Sequence, residues 1–591
     1  MTPAPVQYPP GPAPGNGAGA HVRSHALIVL GLNAFGHDAA AVLLVDGRVA
    51  FAASEERFDR VRHSAAFPRL AIEAALRAAG VTAGEVDAVA FPWSRGMARA
   101  KKALHVLARL PRSLAYLREP PDTRLPSRAG YLRAMASVEA RARECGLLAP
   151  VRRVPHHLAH AASAALVLPG GRGAVLTADG MGEWTTAATW TVDDGRPRRL
   201  DSASYPHSPG KAYAAVTAWL GFTPESDEGK TMGLAAYGDP ASPGAAFARG
   251  LLAPVERGLL RVALDRFGFP WGEARLWGDA FLAALGPPRP PEADLRPGDA
   301  DAARGIQDAV EAFALSAARR TLARTGASAL GLAGGLFLNC ALNGRLAREL
   351  DVPVLPFPVA GDAGAALGAA AVVHREAAGR PVEPLTTLRL GRAIGADEAA
   401  AAAAGGRRLA PPTLAQEVAR RVADGRLVGV ARGAGEFGPR ALGGRSVLAR
   451  ADDPAVRDRL NDHKGRERWR PVAPVLREGD VARWFDPSLP SPWMILTLAA
   501  RPGASTGPLA GAIHADGTAR VQTVTPSQEP FLDAVLGALA PLGHAAVLNT
   551  SLNRRGQPIV DTAAEALAAA QAMRLDALVL DDVFLDLTPS P

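Results

Sequence analysis

The chain has 591 residues, 48% of them hydrophobic, with 66 Lys+Arg against 58 Asp+Glu and a formal charge of +8; this exceeds one ordinary core and predicts about two to four domains. Its two cysteines, Cys145 and Cys340, are too few for a disulfide framework or a Cys-based zinc site, and no apolar run is long enough to span a bilayer. The expected setting is therefore the reducing cytoplasm without a membrane partner, while a sequence pI of about 9.9, largely from arginine, favours anionic ligands such as phosphates and nucleotides.

Residues 1–24 are rich in Pro, Gly and Ala, with neither a cationic start nor an apolar h-region, and read as a disordered tail rather than a signal peptide. "HALIVLGLN" is the first predicted strand, and "AAAVLLVDGRVAFAAS" follows as a hairpin turning at Asp46-Gly47, because a type I′ turn needs positive φ at both central positions. "PRLAIEAALRAAG" carries helix punctuation, Pro68 before it and Gly80 after. Residues 95–150 read as a basic, helical insertion. "GAVLTADGMGEWTTAATWTVDDGRPRRL" then repeats the opening pattern: a strand, an acidic turn at Asp179-Gly180 and a hairpin through Asp194-Gly195. A duplicated α/β unit facing itself across a cleft follows from that repetition. Two βα units come next, turning at Gly334-Gly335 and at Gly361-Asp362, where backbone N–H groups at a helix N-terminus welcome an anion. Residues 376–412 predict a domain boundary, with the first domain ending near 385, and an arginine-dense second domain follows.

"VPHHLAHAASA" holds His156, His157 and His160. Four residues apart on a helix, His156 and His160 share a face, whereas His157 points away. With Asp179 and Asp362, each expected at a turn after a strand, they form a candidate N/O site for iron, manganese or zinc; packed or capping histidines are the competing reading. His37 in "NAFGHDAAA" is a candidate general base or a loop cap. Arg60, Arg62, His63 and Lys230 are candidate anion contacts or plain surface charge. Arg440, Arg445, Lys464, Arg470 and Arg520 sit among glycines, prolines and apolar residues that imply burial. Buried arginines need compensating partners, which a polyphosphate supplies. "VLNTSLNRRGQP" adds Asn549, Thr550, Ser551 and Asn553 as hydroxyl and amide groups after a strand.

These motifs, with "EERFDRVRH", "DEGKTMGLAAYG", "GGLFLNCALNGRL", "GDAGAALGAA", "EFGPRALGGRSVLA", "HKGRERWRPVAPVL" and "GTARVQTV", resemble the O-carbamoyltransferases of antibiotic and nodulation-factor biosynthesis, in family order from about residue 25 to 585. The resemblance implies an α/β protein built from a duplicated actin-like (ASKHA, ribonuclease H-like) domain over 25–385 and a YrdC-like domain over 386–591. It implies that the second domain makes carbamoyl adenylate from carbamoyl phosphate and ATP, Mg2+ accompanying the ATP, and that the first transfers the carbamoyl group to a free hydroxyl of a small secondary metabolite. By position, the Fe2+ (or Mn2+/Zn2+) ligands fall on His156, His160, Asp179 and Asp362, and His37 falls at the transfer site, making His37, His156, Arg440 and Lys464 the expected catalytic residues. Gly334, Gly335 and Asn339 fall at a nucleotide pocket of the first domain; Arg440, Lys464, Arg470, Arg520 and Ser551 fall at the adenylate site of the second. His157 is expected behind the ligands or facing substrate. A threonylcarbamoyl-type tRNA-modifying enzyme is the alternative, although no nucleic-acid partner is expected; a homodimer stays open. Departures from the family pattern are "WRPV" at Trp469–Val472 and Gly444 where asparagine is common. The loops 93–150 and 200–228 are expected to shape the acceptor pocket.

Overall fold

The structure, a computed structural model, describes residues 26–96, 98–117 and 128–587; the expected tail and residues 118–127 of the insertion lie outside them. Five strands, β1 (Ile28–Asn33), β2 (Ala40–Val45), β3 (Arg48–Ser54), β4 (Ala88–Phe91) and β5 (Val151–Arg153), form a sheet ordered β3-β2-β1-β4-β5. Between β4 and β5 the insertion folds as helices Arg99–Leu107, Arg128–Ala136 and Val138–Glu144. After β5 comes helix α1 (His156–Ala165), then a second sheet from β6 (Gly173–Gly182), β7 (Thr185–Asp193), β8 (Arg196–Ser204), β9 (Leu330–Ala333) and β10 (Val354–Pro356), ordered β8-β7-β6-β9-β10. In both sheets the first three strands run antiparallel and the last two run parallel to the first. The two hairpins turn where expected: φ is 50° and 83° at Asp46 and Gly47, and 48° and 69° at Asp194 and Gly195.

One expected turn is not a turn. Asp179 and Gly180 lie inside β6, whose pairing with β7 is irregular between Ala178 and Gly182, and the chain reverses only at Glu183 and Trp184. An extended Asp-Gly pair there lets β6 run on into the site. Helix α2 (Cys340–Glu349) follows β9 through a short 3₁₀ turn at Gly335–Leu338, and α3 (Asp362–Ala378) follows β10. Each following the last strand of one sheet, α1 and α3 pack against each other between the sheets, α1 on β6 and β9, α3 on β1, β2 and β4. The crossing is close because small residues line it: a Cβ on Gly368 would stand 1.9 Å from the Ala159 carbonyl oxygen.

Beyond α3, residues 389–393 already pair with 434–436 of the next unit. Its main sheet has eight strands: β11 (Arg407–Arg408), β12 (Val428–Ala431), β13 (Arg445–Arg450), β14 (Ala473–Arg477), β15 (Gln522–Val524), β16 (Val547–Ser551), β17 (Ala577–Leu580) and β18 (Val583–Asp586), ordered β11-β18-β17-β12-β13-β16-β14-β15. The two halves share a core: Phe437, Leu442, Ala473 and Trp493 pack with the buried faces of α1 and α3. The molecule is mixed α/β with several sheets, and among the described residues no helix is long and apolar enough to cross a membrane.

Candidate active site

The packing of α1 on α3 brings their starts together, each beginning on a candidate ligand, with Asp179 of β6 beside them. His156 Nε2 lies 3.0 Å from His160 Nε2, and Asp179 Oδ2 is 3.3 and 3.2 Å from the same two nitrogens. Asp362 Oδ1 stands 3.4 and 3.6 Å from them. One ligand atom from each of the four residues fits within a span of 4.8 Å. His156 donates Nδ1–H to the Pro92 carbonyl at 3.1 Å, the tautomer that turns a bare Nε2 toward the centre. Two buried imidazole nitrogens facing one another and two carboxylates are a donor set suited to a divalent transition metal. The electrostatics show the same demand for positive charge. Burial opposes it, yet Asp362 and Asp179 raise His156 to about 10. Conversely, the imidazoles hold Asp179 and Asp362 well below the ordinary carboxyl range against the desolvation that would raise them.

His157 points away, as its spacing predicted, but it faces no open site: it is buried, bonded to Thr177 Oγ1 at 2.9 Å and the Thr185 carbonyl at 3.0 Å. Its role is to tie α1 to β6 and β7. His37 is half-exposed, Nδ1 3.1 Å from Asp38 and Nε2 3.9 Å from Asp362 Oδ2; His63 reaches the other Asp38 oxygen at 2.7 Å. Burial works against protonation of His37, but Asp362 and Asp38 outweigh it and raise its pKa well above the ordinary value. Lys211 and Glu225 form an ion pair beside this centre, and Glu225 is held below its ordinary range by Lys211 despite burial. No motif marked either residue: both come from the 200–228 segment, where only the Ser208 cap that accepts from the Lys211 N–H at 3.0 Å is readable.

Gly334 and Gly335 adjoin this centre. Gly334 has φ +99°, and a Cβ there would stand 2.2 Å from the Ala178 carbonyl; one on Gly335 would stand 3.1 Å from Asp179 Oδ1. Asn339 caps α2 through the Leu342 N–H and exchanges hydrogen bonds with Gln307 at 2.8 and 3.2 Å. Its side chain thus ties the start of α2 to the helix that carries Gln307.

The second cluster lies in the carboxy-terminal half. Burial, with Arg520 and Arg470 nearby, lowers Arg440 to about 9. Lys464 is pushed well below its ordinary value by burial, Arg466 and Arg470, and Arg466 by burial, Arg470 and Arg520. Arg466, inside the quoted "HKGRERWRPVAPVL", belongs with the residues named from sequence although its number was not among them. Lys464 Nζ donates to the Ser551 carbonyl and, at 2.7 Å, to that of Asn553; the Ser551 hydroxyl donates to Asn553 at 2.6 Å. Glu467 sits 3.7 Å from Arg470 and 3.3 Å from Lys230. Cations that depress one another beside so little carboxylate make a site for a multiply charged anion. Arg445 does not belong to it: fully buried, it donates to the carbonyls of Arg432, Gly433, Gly444, Arg392 and Asp561 and needs no anionic ligand. At Gly444 a Cβ would meet the Arg389 guanidinium at 1.7 Å, which accounts for glycine there.

The two clusters meet across the interface between the halves. Arg440 Nη2 reaches the Leu338 carbonyl at 3.4 Å, within the turn that begins beside Asp179. A cleft there is lined by Gly233, Cys340, Trp469, Arg470, Thr497 and His514. In "EERFDRVRH", Arg60 joins the halves, donating to the Ile559 and Pro558 carbonyls at 2.8 and 2.9 Å, whereas Arg62 donates within the amino-terminal half to the Ser226 carbonyl at 3.3 Å. Lys230 pairs with Asp227 and, across the same join, with Glu467.

Comparison with known proteins agrees with this two-part arrangement. Residues 28–371 match the family described as Carbamoyltransferase N-terminus, and residues 419–586 match Carbamoyltransferase C-terminus. Nodulation protein NolNO of Sinorhizobium fredii is 33% identical over 93% of this chain and 78% of its own. The 3'-hydroxymethylcephem-O-carbamoyltransferase of Amycolatopsis lactamdurans is 32% identical over 61% of this chain and 65% of its own. Among solved structures, the (R)-2-hydroxyglutaryl-CoA dehydratase component A of Acidaminococcus fermentans overlaps 60% of this chain and 99% of its own at 14% identity and a TM-score of 0.33. Matched through both halves, the chain belongs to the carbamoyltransferase family and is a carbamoyltransferase.

Proposed function

We propose that the protein is an ATP-dependent O-carbamoyltransferase, with a YrdC-like unit over 386–591 forming carbamoyl adenylate and a duplicated actin-like unit over 25–385 transferring the carbamoyl group. The observation that carries this reading is the pairing of a mutually repelling Arg/Lys cluster with a buried His/Asp cluster, joined across one interface by Arg440 and the Leu338 carbonyl. Atom balance fixes the first half-reaction: carbamoyl phosphate, ATP and one water give carbamoyl adenylate, phosphate and pyrophosphate. Lys464, Arg466, Arg470 and Arg520 neutralise the phosphate oxygens as that charge accumulates, the task for which guanidinium forks are suited. The intermediate is prone to hydrolysis, so passage through the buried junction at Arg440 protects it.

In the second half-reaction an acceptor oxygen attacks the carbamoyl carbon, AMP leaves with its electron pair, and the hydroxyl proton departs. His37 Nε2, in its neutral form, is placed to take that proton, and Asp38 orients the ring through Nδ1. His156, His160, Asp179 and Asp362 would hold Fe2+, Mn2+ or Zn2+, which supplies Lewis acidity toward the carbamoyl oxygen or the adenylate phosphate. The acceptor is a small molecule with a free hydroxyl; the cephem-modifying relative acts, by its name, on a hydroxymethyl group, which supports oxygen as the nucleophile. The test is direct: AMP and pyrophosphate form only when carbamoyl phosphate and ATP are both supplied, and one acceptor in a screen gains the mass of one carbamoyl group. Metal-loaded protein that yields neither AMP nor pyrophosphate with any acceptor overturns the proposal.

A further inference from the structure

The insertion between β4 and β5, part of the loop expected to shape the acceptor pocket, carries an outward face that belongs to neither residue cluster. Residues 95–117 contain six cationic residues, Arg95, Arg99, Lys101, Lys102, Arg109 and Arg112, and no acidic residue. Within them Leu104, Leu107, Leu110 and Leu114 are 68%, 64%, 50% and 48% exposed, an unusual display of large aliphatic side chains in one short segment. The segment is nevertheless anchored. His105, on the same helix as Leu104 and Leu107, is buried, with Nε2 2.9 Å from the Pro270 carbonyl and its ring against Tyr205 and Trp184. One helix face is therefore fastened to the body while leucines stand out on the other, beside exposed Arg99 and Lys101. Arg95 and Arg112 are engaged by Glu139 and Glu273, which leaves Arg99 and Lys101 as exposed cations on the same helix as Leu104 and Leu107.

We propose that this leucine and arginine/lysine ridge docks the enzyme peripherally on a bilayer surface containing anionic lipid. An apolar edge flanked by outward-facing cations is the pattern that settles at the headgroup boundary by combining buried aliphatic area with attraction to negative lipid. A second copy of the chain does not suit this face, because a two-fold interface would set its cations against themselves. Nothing here spans the bilayer, in keeping with the absence of a spanning helix among the described residues. Adjacent to the ridge, Ser94 N–H donates to Glu183 at 2.6 Å, at the turn that ends β6, so docking would bring the membrane plane beside the strand that carries Asp179.

Flotation of the full chain with phosphatidylcholine vesicles, with and without one quarter phosphatidylglycerol, at low and high salt tests this independently of turnover. The expected result is binding to the phosphatidylglycerol vesicles alone, weakened by salt. The Leu104→Ser/Leu107→Ser and Arg99→Glu/Lys101→Glu variants should each partition at least about tenfold less, while AMP and pyrophosphate formation is unchanged. No flotation at low salt overturns the proposal, as does equal flotation of parent and both variants. Capture of the ridge by soluble polyglutamate without vesicle binding also overturns it, since that assigns the face to an acidic macromolecule.

Discussion

Substitutions at the two clusters should separate the half-reactions. His160→Ala removes a nitrogen 3.0 Å from His156 Nε2, so bound metal measured by elemental analysis and carbamoyl transfer should both fall at least tenfold, about 1.4 kcal/mol or more, with AMP formation retained. Arg470→Ala should do the reverse, abolishing AMP formation while leaving metal content intact; equal loss of both activities in both variants would contradict the two-site reading. His514 supplies a pH test. Burial, opposed by Asp516 and reinforced by Arg520, holds it down at about 4, against about 6.5 in an unfolded chain. Above pH 6.5 both states are neutral; between 6.5 and 4 the unfolded chain takes a proton that the folded chain refuses, so stability falls with falling pH, by about 2 kcal/mol at pH 5 and about 3 kcal/mol at pH 4. In ligand-free protein, urea midpoints at pH 7, 6 and 5 should drop accordingly, and His514→Asn should flatten that part of the slope. The histidine pair was readable because a four-residue spacing fixes a shared helix face, whereas Asp179 was expected at a turn and lies instead within β6. Lys211 and Glu225 were not, since their place depends on how a loop between distant elements closes. Arg445 was misread for a related reason: sequence shows burial of a charge but not that five carbonyls already surround it.

At the scale of elements, the α1–α3 crossing sets the geometry of the ligands, because both helices start at the centre. Gly368→Ala would push a methyl into the Ala159 carbonyl, a contact of 1.9 Å that only backbone movement relieves. We expect a loss of about 1–3 kcal/mol, read as a lower urea midpoint, accompanied by weaker metal retention; a stable variant with full metal content would show that the crossing has more slack than its packing indicates. The hairpins were legible from Asp-Gly pairs whose φ values are positive as the turn type requires. At Asp179-Gly180 the same dipeptide logic failed, because the strand pairing of β6 with β7 continues past it, interrupted only by an irregularity. Tertiary pairing outweighed a local turn preference there.

Across the whole molecule, the join between halves is built from backbone-close contacts: Asn343 donates to the Ile495 carbonyl at 3.0 Å, and a Cβ on Gly344 would stand 2.2 Å from the Thr497 carbonyl. Gly344→Val should wedge this join open. The expected outcome is AMP production near the parent rate with a severalfold lower ratio of carbamoylated acceptor to AMP, as the intermediate escapes to water; an unchanged ratio would argue that the reactive species does not cross here. Such coupling was invisible in the sequence, which marked the residues of each half but not how closely the halves are joined. The four candidate ligands are divided between the two sheets. His156 and His160 come from the helix that follows the first sheet's last strand, whereas Asp179 lies in the second sheet's β6 and Asp362 starts the helix after β10, so neither sheet with its helix carries all four. A metal held by all four would be gripped from both sheets, so a chelator should strip it faster from the Gly368→Ala variant, whose α1–α3 crossing is loosened, than from the parent.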